Sequence, residues 1–436
     1  MARSPQLGKQ STALGNGLGL LPVGRELASD SDPVLTGHWV CTSVGGGQYI
    51  NGTSPDYLGN VYIHSIPDEN DPDGSTTITK ISRYGLPLWQ AVFSGTVIIK
   101  QGSGFRVGRD NRLRMSISTG SFYTYILVLN EDGTTYLSKR WHSVSGTTYR
   151  GVAVDGDADG NTYFETEYTT QDWIILSKIN SGGTYDWSTR AAQFDTSSGS
   201  MAVAPDGNIW MTATDGTWAY NWVLDKDDGA TILYERRWTS GFDSALSAND
   251  QDFTFDSDGG AVWMHNYSSG KVLVYANADW TTVKDSSSIG TWGYGNMITH
   301  DGRAFFILTA GSNDYEINIV EYNHTATSST NPEYRVRGSY GVTSGGNDFK
   351  PMELDDAILL GTQNTVYKMP VPNDAGYYND AFALLQIADD TTTIGNGGSA
   401  STSVTFSDVS STYLLYAATH SYTLTTEDID VGIVQI

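Results

Sequence analysis

Short apolar runs alternate with polar turns along this chain, and the pattern repeats. Gly151-Val152-Ala153-Val154-Asp155 precedes Asp159-Gly160-Asn161, and Met201-Ala202-Val203-Ala204-Pro205 precedes Asp206-Gly207-Asn208. Asp252-Phe253-Thr254-Phe255-Asp256 precedes Asp258-Gly259, and Met297-Ile298-Thr299-His300 precedes Asp301-Gly302. Leu58-Gly59-Asn60 opens directly onto Val61-Tyr62-Ile63-His64. An Asp-Gly pair between two short runs signals a hairpin, because glycine takes the positive φ that a tight turn demands. Weaker copies stand at Arg109-Asp110-Asn111 and at Asp355-Asp356, where the glycine is missing.

The anchors at 59, 111, 160, 207, 259, 302 and 356 are 43 to 54 residues apart. A unit of that length is the size of a four-stranded propeller blade. Each unit carries a second signature downstream: a strand, a polar turn, then often a tryptophan. Lys80-Ile81 leads through Gly85 to Trp89, Leu129 through Gly133 to Trp141, Lys178-Ile179 through Gly183 to Trp187, and Leu224 through Gly229 to Trp238. The predicted fold is therefore all-β, a β-propeller of about seven four-stranded blades over residues 35–372. Its large aromatics are expected to fill the wedges between blades.

This repeat resembles the bacterial propeller-repeat families whose blades read apolar strand, Asp-x-x-Gly-Asn, strand, Lys-Leu-x-x-Asp-Gly, Trp. The resemblance implies architecture more than activity, since propellers host enzymes, lectins, scaffolds and virion parts. Residues 1–34 fall outside the repeat and read as an extended N-terminal arm that orders by docking on a neighbour. Residues 373–436 read as a small C-terminal β appendage or as closing strands, with an apolar final run from Ile429 to Ile436.

Composition sharpens this picture. Of 436 residues, 39% are apolar and only 17% charged, with 48 Gly, 26 Tyr and 12 Trp, which suits many short strands and tight turns. The formal net charge of −24 argues against nucleic acid as a partner of the body. A single cysteine, Cys41, allows no intrachain disulfide. Neither a secretory leader nor a membrane-spanning run is recognisable, so synthesis in the cytoplasm is the expectation.

The sharpest chemical motif is Asp155-Gly156-Asp157-Ala158-Asp159-Gly160-Asn161. Carboxylates at alternate positions with glycine sixth match the first half of a calcium loop, so Asp155, Asp157 and Asp159 are the candidate Ca2+ ligands. The Glu expected at position twelve is replaced by Thr166. No histidine pair has metal-ligand spacing, and no nucleophile elbow, P-loop or dinucleotide fingerprint occurs. His64 and His265 hold equivalent repeat positions and read as strand residues facing neighbouring blades.

The reading these features favour is a non-enzymatic structural subunit of an assembly, in the style of phage tail or neck proteins. It would be located in the virion and would contact other subunits, including further copies of itself. An extracellular, carbohydrate-binding propeller is the alternative, with Trp218, Tyr220, Trp222, Trp292 and Tyr294 as candidate stacking residues for a surface glycan. A third reading is a calcium-supported hydrolase or lyase at the channel mouth, drawing on Arg106, Asp252 and His300.

Overall fold

A computed structural model describes most of residues 39–435. The main stretches outside the description are 1–38, 67–75, 143–148, 194–199, 238–252, 286–292, 310–315, 323–333, 371–390 and 395–400. The extended N-terminal arm expected over 1–34 thus lies outside the described residues.

The first strand, β1 (Trp39–Ser43), stands apart from the blade that follows it. Blade 1 contains β2 (Tyr49–Pro55), β3 (Val61–Ile66), β4 (Thr76–Ile81) and β5 (Pro87–Phe93). Blade 2 contains the short β6 (Ile98–Ile99) and β7 (Phe105–Val107), then β8 (Leu113–Ser118), β9 (Tyr123–Leu129) and β10 (Thr135–His142). Blade 3 is β11 (Tyr149–Gly156), β12 (Thr162–Tyr168), β13 (Trp173–Ile179) and β14 (Tyr185–Gln193). Blade 4 is β15 (Ser200–Val203), β16 (Ile209–Thr214), β17 (Ala219–Leu224) and β18 (Ile232–Arg237). Blade 5 is β19 (Thr254–Phe255), β20 (Ala261–Tyr267), β21 (Gly270–Ala276) and β22 (Val283–Asp285). Blade 6 is β23 (Gly293–Ile298), β24 (Ala304–Thr309), β25 (Glu316–Tyr322) and β26 (Tyr334–Gly341). Blade 7 starts with β27 (Gly346–Met352), β28 (Ala357–Thr362) and β29 (Thr365–Pro370). The C-terminal strands are β30 (Thr391–Ile394), β31 (Ser401–Asp408), β32 (Tyr413–Leu415), β33 (Ala418–His420) and β34 (Thr426–Gln435).

Within each blade the strands run as an antiparallel meander, and the first strands of neighbouring blades lie against one another around the ring. Blades 3 to 7 are five separate sheets. Blades 1 and 2 instead share one 11-stranded sheet, because β34 pairs with the outer strand β5 and β31 with the outer strand β10. The strand pair β31–β34 is thus a bridge between two blades that the repeat spacing treats as independent.

Ring closure comes from the N-terminal side. β1 is the fourth strand of blade 7, antiparallel to β29 with Trp39 opposite Lys368 and Thr42 opposite Thr365. β30 then adds to β1 in parallel. The outermost layer of blade 7 therefore combines the first described strand with the first of the C-terminal strands.

The strands do not alternate between buried and exposed positions, as a one-sided sheet would. All six residues of β4 and the first five of β3 are buried, as expected for sheets covered on both faces. Each apolar cluster accordingly straddles two blades. Trp89 and Phe93 of blade 1 pack with Met115 and Leu127 of blade 2. Met201 and Trp222 of blade 4 pack with Tyr163 and Leu176 of blade 3. Cys41 sits in the blade 7–blade 1 cluster, where burial pushes its thiol pKa up. Among the described residues no helix is long and apolar enough to cross a membrane.

Candidate functional site

The turn between first and second strands organises one end of blades 1 to 5, where it is described. In blade 1 the Asp56 carboxylate accepts hydrogen bonds from the amides of Leu58 (2.9 Å) and Asn60 (2.8 Å) and from Asn60 Nδ2 (2.8 Å). Asp157 does the same in blade 3, from the amides of Asp159 (3.0 Å) and Asn161 (2.9 Å), and takes the Tyr163 hydroxyl at 3.0 Å. Asp256 accepts from the amides of Asp258 and Gly260 in blade 5. Gly59, Gly160, Gly207 and Gly259 carry φ of 82° to 88° at the fourth turn position, where a Cβ would be strained. In blade 2 Asn111 takes that position at φ 61°, one of the few side chains that tolerates it. The turn geometry outlasts the loss of its glycine.

The lysine of the repeat signature has a mechanical role. Lys80 Nζ donates to the Glu131 carbonyl of blade 2 at 2.9 Å, Lys178 Nζ to the Lys226 carbonyl of blade 4 at 3.2 Å, and Lys368 Nζ to the Arg83 carbonyl of blade 1 at 2.9 Å. All three lysines are buried. Each ties a third strand to the third turn of the next blade, and Lys368 ties the last blade to the first. The turn glycine beyond makes room for the preceding blade: a Cβ on Gly229 would lie 2.2 Å from the Trp187 ring.

Blade 2 solves the same problem with different residues. Tyr62 faces Lys80 and Tyr163 faces Lys178 across the second and third strands, each ammonium within 5.6 Å of the ring. The equivalent pair in blade 2 is Arg114 and Val128. Arg114 is fully buried and grips Asp110 with both terminal nitrogens, at 2.6 and 2.9 Å. It also donates to Thr162 Oγ1 (3.1 Å) and to the Asn161 carbonyl (3.2 Å) of blade 3. Burial raises the Asp110 pKa, but the Arg114 and Arg112 bonds outweigh it and hold the carboxyl below its ordinary value. The guanidinium fits only because Gly108 and Gly156 flank it; a Cβ on either would come within 2.2 Å of it.

At the ring's inner strands, Arg106 of β7 donates to Asp155 Oδ2 at 3.1 Å and, at 3.4 Å each, to the carbonyls of Met201 and Phe253. One side chain thereby links the first strands of blades 2, 3 and 4 with Phe253, which leads into β19 of blade 5. Asp155 Oδ2 additionally accepts from the Val203 amide at 2.8 Å.

These partners separate the three candidate calcium ligands. Asp155 faces the inner ring, Asp157 is turned into its own hairpin, and Asp159 is exposed. Among the described residues, no group of three or more His, Cys, Asp or Glu side chains is placed to hold a metal ion. Of the channel-mouth set, Arg106 has the structural partners above, while Asp252 and His300 lie outside the described residues. Of the stacking candidates, Tyr220 and Trp222 stack at 5.4 Å, with Trp222 buried among blades 3 and 4. Trp218 and Trp292 lie outside the described residues; Tyr294 is placed on β23. His64 is fully buried 5.6 Å from the Phe105 ring, and neither ring nitrogen meets a hydrogen-bond partner among the described residues. Burial pushes its pKa down to about 3. His265 is placed on β20.

Sequence reasoning missed Arg114 and the lysine ties. The signal was present: with the turns aligned, Arg114 stands where other blades have Tyr62, Tyr163 and Trp210, and glycine replaces the turn aspartate at Gly108.

No family model and no curated protein sequence matches the chain. Solved propeller structures do. The structure of U3-55K aligns with a TM-score of 0.51 at 8% identity, over 76% of this chain and 98% of that one. The WD40 repeats of RRP9 align with a TM-score of 0.50 at 7% identity, over 76% and 97% respectively. At such identities the likeness concerns the fold alone: this chain is an all-β propeller with four-stranded blades, similar in architecture to WD40 propellers.

Proposed function

We propose that this chain is a non-enzymatic interaction scaffold, a subunit that presents the faces of a rigid ring to other proteins in an assembly. The observation that carries this reading is the deployment of its polar side chains. Arg106, Asp155, Arg114, Asp110, Lys80, Lys178 and Lys368 all bond across or within blades, so the described turn face and inner ring are committed to rigidity. Rigid rings with variable surfaces suit protein recognition, and the WD40-like architecture of the solved relatives is in keeping with it.

The finer form of the proposal is that the assembly is a phage particle, with the propeller in its tail or neck. Its support is the combination of a Gly/Tyr-rich all-β body, an N-terminal segment outside the repeat, and C-terminal strands that build onto outer blade edges. Mass spectrometry of particles purified from the producing culture tests it. A fixed copy number per particle is expected; recovery of the chain only in the soluble fraction would refute the virion assignment.

A further inference from the structure

The turns between third and fourth strands share one backbone geometry. Gly85, Gly133, Gly183 and Gly229 have φ of 62° to 86°, and each donates its amide to a carbonyl at the start of its turn, from Ser82, Asn130, Asn180 and Asp225 respectively. In blade 5 the same donor is Trp280, bonded to the Asn277 carbonyl at 3.0 Å with φ 58°. The other side chain at positive φ among the described residues is Asn111, a residue type that tolerates it. A tryptophan there is an outlier. Its Cβ crowds the following carbonyl oxygen, a strain that persists only when the surroundings hold it.

The surroundings are aromatic. The Trp280 ring stacks on Tyr234 with centroids 4.0 Å apart and planes at 22°, and lies 4.4 Å from Trp210 at 34°. Both of those residues belong to blade 4, so the contact spans a seam. At the blade 1–2 and 3–4 seams the indole comes from the preceding blade: Trp89 and Trp187 stand opposite Lys80 and Lys178 and reach the next turn. At the blade 4–5 seam Tyr234 holds that outer-strand position, opposite Val223. The turn itself supplies the indole here, and the third strand has valine where its counterparts have the tying lysine.

This reversed contact is less well satisfied than its counterpart. The Trp89 indole N–H donates to the Glu131 carbonyl at 2.8 Å, whereas the buried Trp280 Nε1 meets no partner among the described residues. Trp280 as a whole is only half-buried. When seated it gains stacking and burial, against a strained φ and a buried N–H without an acceptor. Swinging out together with its turn relieves both. We propose that Trp280 is a latch on the blade 4–5 seam. It alternates between a seated state that closes the seam and a released state in which the turn relaxes and the faces of Tyr234 and Trp210 open to solvent. This goes beyond the scaffold reading by giving the ring one movable contact.

Fluorine NMR of the full chain labelled with fluorotryptophan tests the latch, the Trp280 signal being the one lost in Trp280→Tyr. The expected result is relaxation dispersion at Trp280 on the μs–ms scale, with a released population of about 0.1–10%, and none at the well-seated Trp89. Tyr234→Ala removes one stacking face and should raise the released population about fivefold; a circular dichroism melt verifies that this variant folds. Trp280→Gly gives the turn the residue its counterparts use and should abolish any dispersion at Trp210. A Trp280 signal without dispersion in the wild type, and at an unchanged position in Tyr234→Ala, would overturn the latch. Dispersion at Trp210 that survives Trp280→Gly would also overturn it, because the motion would then belong to the blade edge.

Discussion

His64 offers a clean thermodynamic test of how tightly blades 1 and 2 are sealed. Its imidazole is fully buried, and burial takes its pKa from 6.5 to about 3. The folded chain thus keeps His64 neutral across most of the acid range, while the unfolded chain protonates it below about pH 6.5. A depressed histidine pKa removes stability as pH falls through that window. With those two values the loss is about 2 kcal/mol at pH 5 and near zero at pH 8, with a ceiling of about 5 kcal/mol below pH 3. The substitution His64→Leu deletes the titration while keeping an apolar side chain against Phe105. Urea unfolding of both proteins at pH 8 and pH 5 isolates the effect, because all other titrating groups cancel in the difference. The wild type is expected to lose about 2 kcal/mol more than the variant between the two pH values. Parallel losses would show that His64 is protonated or solvated in the folded ring, and the sealed-interface argument would fail.

Other consequences are as direct. Arg114→Ala should destabilise by about 3–5 kcal/mol in chemical denaturation, because it empties a fully buried slot, removes the bonds to Thr162 and the Asn161 carbonyl, and leaves Asp110 with Arg112 alone. Gly156→Ala should produce a comparable loss by evicting the same guanidinium, and the double variant should cost much less than the sum of the two; additive losses would refute a shared slot. Adding Ca2+ or EGTA should move the melting temperature by less than about 1 °C, because Asp155 and Asp157 already have protein hydrogen-bond donors; a rise of several degrees on adding Ca2+ would show that the loop binds calcium. Deleting residues 1–43 should strip amide-exchange protection from β29 while blades 3 and 4 keep theirs; uniform loss would mean the ring unfolds as one unit.

Much of this architecture was legible from local chemistry. The Asp-x-x-Gly-Asn turns could be read because a positive φ and an amide-capping aspartate are needed within five residues, all supplied by neighbours in sequence. The candidate calcium loop was read from the same locality. Alternating aspartates look convergent along the chain, but Asp155 ends a strand and Asp157 starts a turn, so their carboxylates point to different partners. The lysine ties and Arg114 act between blades, about fifty residues apart, where no single repeat shows both partners. Closure was the least legible step. The strand Trp39–Ser43 lies within the predicted span 35–372 but ahead of the first turn anchor at Gly59, and its partner is β29, near the end of that span.

That closing pair also sets the order in which the protein can be made. Trp39 lies opposite Lys368, so the clasp strand leaves the ribosome long before its partner exists. At synthesis rates of about 5–20 residues per second, the interval is about 16–66 s. Blades 1 to 6 can assemble against one another during that time, but the face of blade 1 that blade 7 will cover stays open. The nascent ring is therefore an incomplete arc with an exposed apolar end until Trp39–Ser43 meets β29, and only then can the still later β30 add to the outside of that strand.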